Sequence, residues 1–365
     1  MNRGPIAEIN LPALQHNLKI IRQIAKNRTV IAVVKADAYG HGAVEISKKL
    51  MAEGVSYLAV AYTGEAKVIR DAGIAAKILV LFDRTDISDY FKYDLIPVIH
   101  DKNFALEFSK EALKKNRPVK VHIKIDTGMG RMGLRAESAV ADILEIAGLE
   151  GIVLEGLLSH FSEADLADRS FAIHQLSLFR EIHAEILKRT GRRLLRHMAN
   201  SAAIFSLPDA LFDAVRPGIA LYGYSSPEGN FGLEPVMKIK SRVLAVRNLP
   251  AGTPVSYGRT FVTKRESRVA VVALGYADGY DRLFSNNAEM LVGGYRVPVI
   301  GRVCMDLTML DVTDADRVSE GDEVVILGTQ KGQVITATEL SCRIGTIPYE
   351  ILTSLGNRAR REYVH

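Results

Sequence analysis

Between residues 12 and 235 the chain alternates short β-branched runs with longer stretches of helical period, and this alternation limits the fold more than any other feature. The runs lie at 29–34 (TVIAVV), 57–60, 78–81, 95–99, 119–125, 153–158, 196–198 and 214–215. Each is short and almost wholly apolar, as strands buried on both faces of a parallel sheet tend to be. Between them, 101–115 repeats Phe104, Leu106, Phe108 and Leu113 on a helical period, and 169–188 repeats Phe171, Leu176, Phe179, Ile182 and Ile186. Strand followed by helix, about eight times over, predicts an α/β fold with a (β/α)8 TIM-type barrel across 1–235 rather than a doubly wound sheet.

From residue 236 the texture changes. Strand-like runs recur at 236–246, 268–273, 290–292, 295–300 and 323–327, and Gly293-Gly294 between two of them signals a hairpin. The pattern Thr336-Ala-Thr-Glu339 reads as a capping box opening one of two short closing helices. Residues 236–365 therefore read as a mainly β C-terminal domain, and 365 residues are enough for two cores.

Composition excludes several function classes. The net charge is +5 and the Lys and Arg residues are scattered, which suits a small anionic ligand better than a nucleic acid. No apolar run reaches membrane-spanning length, and the N-terminal stretch has no cleavable apolar core. Two cysteines, Cys304 and Cys342, are no disulfide framework and fit a reducing compartment, so a cytoplasmic protein is expected.

In such a barrel the catalytic groups stand where strands end, on the carboxyl face. Reading the residues just past each run gives Lys35, Asp126 leading to Arg131, Ser159-His160, Asn200-Ser201 and Arg216-Pro217-Gly218. Polar and ionisable groups from five strands thus converge on one mouth. A lysine desolvated there loses proton affinity and becomes a nucleophile, although a lone lysine at a strand terminus is as ordinary as any surface charge. Asn200-Ser201 and Arg216-Pro217-Gly218-Ile219 follow the seventh and eighth strands, where barrels commonly hold phosphate; a plain helix cap is the simpler reading of Asn-Ser.

Other patterns carry less. Gly128-Met-Gly130-Arg-Met-Gly133 with Glu155 further on mimics a dinucleotide fingerprint. Two residues separate its strand from the first glycine, however, and a clear helix begins only near Glu137. His160, Glu163 and Asp165 are a mixed set better read as hydrogen-bonding groups than as metal ligands, and no metal is expected. His174 and His183 read as solvent-facing. The turns holding Tyr257, Tyr276 and Arg302-Val-Cys304-Met305 interrupt the β pattern, but a tyrosine in a turn is usually packing.

The segments VVKADAYGHG, DTGMGRMG, SHF, ANSAA, RPGIALYG, VSYG, GYADGY, GRVCMD and IPYE occur in that order, and together the chain resembles alanine racemase, from Ala7 to Tyr349. The resemblance implies an isomerase that uses pyridoxal 5'-phosphate, interconverts L- and D-alanine and supplies D-alanine for peptidoglycan. It also implies a homodimer with shared active sites, in which the first ten or so residues pack with the C-terminal domain. Serine or broader racemase activity, or a barrel-type amino-acid decarboxylase, are the alternatives.

By the same resemblance, Lys35 holds the cofactor covalently and exchanges the proton on one face of Cα. Tyr257 of the second subunit serves the other face. A tyrosine with a reference pKa of about 10 is a poor base unless neighbours assist it; the resemblance names His160 and, behind it, Arg216, which also faces the pyridine nitrogen. Tyr39, Ser201, Gly218, Ile219 and Tyr349 match the phosphate site, with Asn200 beside it. Arg131 matches the arginine that reaches the cofactor and the substrate carboxylate, and Met305 the second subunit's group at that carboxylate. Lys124 aligns with a lysine often carbamylated in the family, and Asp165, Tyr276, Arg282 and Arg302 match the substrate channel.

Overall fold

The computed structural model describes residues 4–225, 229 and 231–365. Among them, eight parallel strands close into a barrel: Thr29–Val33, Tyr57–Val60, Lys77–Val80, Leu95–Ile99, Val119–Asp126, Ile152–Leu158, Leu195–His197 and Ala214–Val215. Each pairs in parallel with the next, and Ala214 pairs back to Thr29 to complete the ring. The continuous apolar runs make sense here, because helices cover the outer face and side chains fill the inner one. Tyr57–Val60 and Leu95–Ile99 are buried along their whole length.

The helices between strands start on polar caps. Asp101 Oδ1 accepts the Phe104 amide at 2.9 Å, and Asn200 Oδ1 accepts the Ala203 amide at 2.9 Å. Two expectations fail locally. Leu106, Leu113 and Phe171 lie on the outward side of their helices and are exposed, while His183 is half-buried rather than solvent-facing. The last strand is followed by a 3-10 turn, Ile219–Tyr222, instead of a helix. Its neighbour in the outer ring is Leu11–Ile24, from which Asn17 hydrogen-bonds the Leu221 and Glu234 carbonyls at 3.1 and 2.7 Å.

Asp83, just past the third strand, braces the rim. It accepts hydrogen bonds from the Thr63 amide and hydroxyl and from the Thr85 amide and hydroxyl. Burial alone would raise its pKa, but these donors outweigh burial and hold it down at about 2. A carboxylate depressed below its unfolded value of about 3.9 stabilises the fold above that value, and the stabilisation is lost as pH falls through about 2. Asp83→Asn should lower the Tm by roughly 3–10 °C at pH about 6, with the gap to the native chain closing in acid. A constant gap across that range would contradict the assignment.

The chain divides into two compact units: the stretch ending at Leu14 with Tyr39–Gly42 and Pro235–His365, and a second of Gln15–Ala38 with Ala43–Glu234. The second holds the barrel. The first is built on the long strand Met237–Leu249, which pairs antiparallel with Ile6–Asn10, Ser267–Val272 and Glu323–Gln330. Ile6–Asn10 also pairs in parallel with Arg360–Val364. Gly293 and Gly294, at φ 63° and 94°, turn the hairpin between Glu289–Val292 and Tyr295–Pro298, a backbone that favours glycine twice over. Thr336 Oγ1 accepts the Glu339 amide at 3.0 Å and opens the helix Ala337–Ile344, and Pro348–Arg358 follows. Among the described residues no helix is long and apolar enough to cross a membrane.

Candidate active site

Lys35 leaves the first barrel strand and enters an unusual turn. Ala36, Asp37, Ala38 and Tyr39 have φ of 51°, 52°, 54° and 55°, one turn of left-handed helix. Such a conformation costs an L-residue roughly 1–2 kcal/mol, so fixed contacts must hold it. Glu65 Oε1 accepts the Ala36 amide at 2.6 Å while its other oxygen accepts the Ala61 amide at 2.7 Å. Asp37 Oδ1 accepts the Ala43 amide at 2.6 Å, and the Ala38 amide reaches the Val34 carbonyl at 2.9 Å.

The turn aims Lys35 at a cationic mouth. Lys35 Nζ, Lys124 Nζ and the Arg131 guanidinium lie 5.6, 5.6 and 5.8 Å from the centre of the Phe82 ring. Burial, then the charge of Arg131, lowers the proton affinity of Lys35, and Glu65 restores part of it. Lys124 is buried at the end of the fifth strand, where desolvation, Arg131 and Arg216 bring its pKa down to about 8. Asp126 compensates little of this charge, because its carboxylate is turned back on the loop. It accepts the Gly128 and Gly130 amides at 2.9 and 3.1 Å. The glycine-rich segment is thus a wrap around Asp126, followed by the short strand Leu134–Arg135 and by a helix only from Ala139.

Arg216 is buried beneath the mouth. It donates to the carbonyls of Ser159 at 2.7 Å and Met198 at 3.2 Å, and to the rings of His197 at 2.9 Å and His160 at 3.3 Å. Burial lowers its pKa only to about 10, so it stays charged at neutral pH. His160, desolvated and faced by Arg216 and Lys124, is held neutral with its pKa well below the usual imidazole range. Ser201 Oγ accepts the Gly218 amide at 2.9 Å and the Ala220 amide at 3.2 Å, which leaves its hydroxyl proton to donate outward. An amine of lowered proton affinity beside cations and a hydroxyl donor can take an anionic aldehyde, the amine as nucleophile and the cations as counter-charge.

The family models for the N-terminal and C-terminal domains of alanine racemase match residues 9–226 and 236–363. The chain belongs to the alanine racemase family. The alanine racemase of Thermodesulfovibrio yellowstonii is 49% identical over 368 residues, spanning 100% of this chain and 99% of that one. Among solved structures, alanine racemase from Clostridium difficile 630 has a TM-score of 0.94 at 35% identity, covering 100% of this chain and 96% of its own. Alanine racemase from Bartonella henselae, solved with covalently bound pyridoxal phosphate, has a TM-score of 0.90 at 32% identity, with 100% of both chains covered.

In this alanine racemase family member, Lys35, Lys124, Arg131, His160, Asn200, Ser201, Arg216, Gly218 and Ile219 all stand at carboxyl ends of barrel strands. Asp165 lies exposed on the loop after the sixth strand. A second group gathers in the C-terminal unit. Ser256 Oγ donates to the Arg302 carbonyl at 2.6 Å, tying the turn of Tyr257 to the segment of Met305. The Tyr276 amide donates to the Cys304 carbonyl at 2.9 Å, and Ser285 links Arg282 to the Val303 amide. Tyr257, Met305 and Tyr276 are 68%, 54% and 43% exposed, an unusual surface for three large apolar groups. Tyr39 and Tyr349 meet in the same unit at 5.9 Å between ring centres, and burial raises the Tyr39 phenol so that it remains a donor. Sequence reasoning missed Glu65, Phe82, His122 and His197. The histidines had left a faint trace, since His122 sits between Val121 and Ile123 and His197 sits just before Met198.

Proposed function

We propose that the chain is a pyridoxal 5'-phosphate-dependent racemase of L- and D-alanine, supplying D-alanine for peptidoglycan, and that it works in the cytoplasm as a homodimer with shared active sites. The observation that carries the reading is Lys35, an amine of lowered proton affinity at the first strand's end, set among cations that call for an anion. The residues present fit the cofactor: a nucleophilic amine for its aldehyde, and Ser201, Gly218 and Ile219 for its phosphate, with Asn200 beside them. Tyr39 and Tyr349 serve the same phosphate by family resemblance.

When bound, the cofactor supplies the electron sink that makes the Cα proton of an attached amino acid acidic. The protein's own part is to move that proton. Racemisation must take a proton from one face and return one to the other, which a single base cannot do without crossing the ring plane. Lys35 accepts the proton from D-alanine, and Tyr257 of a second copy accepts it from L-alanine. Arg216 keeps its charge and, supported by His160, would face the pyridine nitrogen without giving up a proton to it. With no proton supplied at that nitrogen, the bound ring would be a weaker electron sink. Arg131 and the Met305 amide take the substrate carboxylate, and Tyr276, Arg282, Arg302 and Asp165 line its entry.

The deciding assay follows optical rotation with L-alanine, D-alanine, serine and lysine, in the presence of added cofactor. Alanine should turn over in both directions and lysine should not. An intact absorbance of lysine-bound cofactor without alanine turnover would overturn the reading.

Lys124 is proposed to carry a carbamate, formed when its neutral amine attacks CO2 and releases one proton, the new carboxylate pairing with Arg131. Because its pKa lies near 8, occupancy should rise as pH climbs through that value. Carbon-13 bicarbonate should give a carbamate resonance that vanishes in Lys124→Ala. The absence of that resonance in the native protein on both sides of pH 8 counts against the modification.

A further inference from the structure

One buried, titratable group has no part in the chemistry above. His122 and His197 are wholly buried in the barrel core, and His122 Nδ1 lies 2.7 Å from His197 Nε2. At one end His197 Nδ1 receives Arg216 Nη1 at 2.9 Å. At the other, His122 Nε2 faces Glu155 Oε2 at 3.4 Å. Glu155 in turn lies 3.3 Å from Lys120 and 3.9 Å from Lys77, both exposed. The row therefore crosses the barrel from Arg216 to a carboxylate near its surface.

The backbone is adapted to this row. The pairing of Val119–Asp126 with Ile152–Leu158 slips by one residue: Val121 pairs with Leu154 but His122 pairs with Gly156, leaving Glu155 as the extra residue. A bulge of this kind re-aims a side chain. Gly156 opens the space, since a Cβ there would lie 2.6 Å from His122 Cε1 and 2.8 Å from the Leu195 carbonyl. Both imidazoles are kept neutral by burial, so each carries one proton.

The proton positions follow from the partners. Arg216 can only donate, so His197 Nδ1 is bare and its Nε2 is protonated. That proton is donated to His122 Nδ1, so the His122 proton is on Nε2 and points at Glu155. The opposite polarity would set a His197 N–H against an Arg216 N–H. Arg216 has carbonyl acceptors besides the ring, so it alone does not forbid that reversal. The Glu155 carboxylate does, because reversal would set the lone pair of a bare His122 nitrogen against its negative charge.

We propose that Glu155 is a positioning residue for the reaction: through His122 and His197 it fixes the acceptor that receives Arg216, and so the orientation of the guanidinium at the barrel mouth. The proposal rests on the reading of Arg216 given above. It is tested by long-range proton–nitrogen spectra of histidine-labelled protein, with and without cofactor, beside steady-state kinetics. In the native chain both histidines should be single Nε2–H tautomers. Glu155→Gln, which keeps an acceptor oxygen, should preserve that pattern and hold kcat within about twofold. Glu155→Leu should move the nitrogen shifts of both histidines and lower kcat five- to tenfold, a loss of about 1–1.4 kcal/mol, with KM unchanged. Glu155→Ala gives the same comparison if leucine is not accommodated. An Nδ1–H tautomer at either histidine in the native chain overturns the proposal. So do unmoved His197 shifts in the apolar variants, or moved shifts with unchanged kcat. The shifts are read from the protein itself, so a failure of the racemase reading shows separately, in the native chain's turnover.

Discussion

Lys35→Ala should lower alanine racemisation by at least about 10³-fold in both directions. The loss combines two roles. On the proposed roles, the variant has no amine to hold the cofactor covalently and no base on the face assigned to Lys35; a positioned acid or base alone is worth about 10²–10⁴ in rate. Lys35→Arg separates charge from chemistry, because a guanidinium preserves the cationic mouth but is a poor nucleophile and a poor base. Both variants should fold, since Lys35 is only half-buried and the turn after it is held by Glu65 and Asp37 rather than by the lysine. The measurement is racemisation rate against the absorbance of lysine-bound cofactor. Either variant remaining within tenfold of the native rate would show that another group does the work.

Mixed in equal amounts under conditions that allow subunit exchange, Lys35→Ala and Tyr257→Ala should recover about a quarter of native activity, although each alone is inactive. A homodimer with shared sites accounts for that fraction. Half of the dimers formed are mixed, and each mixed dimer has one site with both groups intact and one with neither. If a single chain supplied both groups, every site in the mixture would lack one of them and nothing would be recovered. The exposure of Tyr257, Met305 and Tyr276 gives the expectation its physical basis, because a base left uncovered by its own domain needs a second surface to exclude water. A monomeric variant that binds cofactor should likewise fail to racemise.

The barrel was legible because burial on both faces writes a distinctive sequence: TVIAVV and LIPVI tolerate no polar interruption. Once the strands were placed, the rule that function gathers at their ends led to Lys35, Arg131, His160, Ser201 and Arg216. Tyr257 and Met305 lie in turns of a β domain, where no period marks them, and only the ordered family motifs point to them. Glu65 was hidden because it reads as an ordinary first-turn helix residue, yet its carboxylate faces the neighbouring strand end. His122 and Glu155 depend on a one-residue slip between strands, and pairing register is not written in either strand alone. The exposed Leu106 and Leu113 show the reverse failure, a periodic pattern that is broader than the face it buries.

The left-handed turn after Lys35 has a consequence for assembly. Ala-Asp-Ala-Tyr has no local preference for that shape, and four such residues together cost a sizeable part of a domain's net stability. The contacts that repay it come from Ala43 and from Glu65, the latter carried beside the turn only when the first two strands are paired. A nascent or partly unfolded chain therefore cannot present its lysine in the working pose. With Lys35 in its proposed role, cofactor capture becomes an inspection step, passed only by molecules whose barrel has already formed.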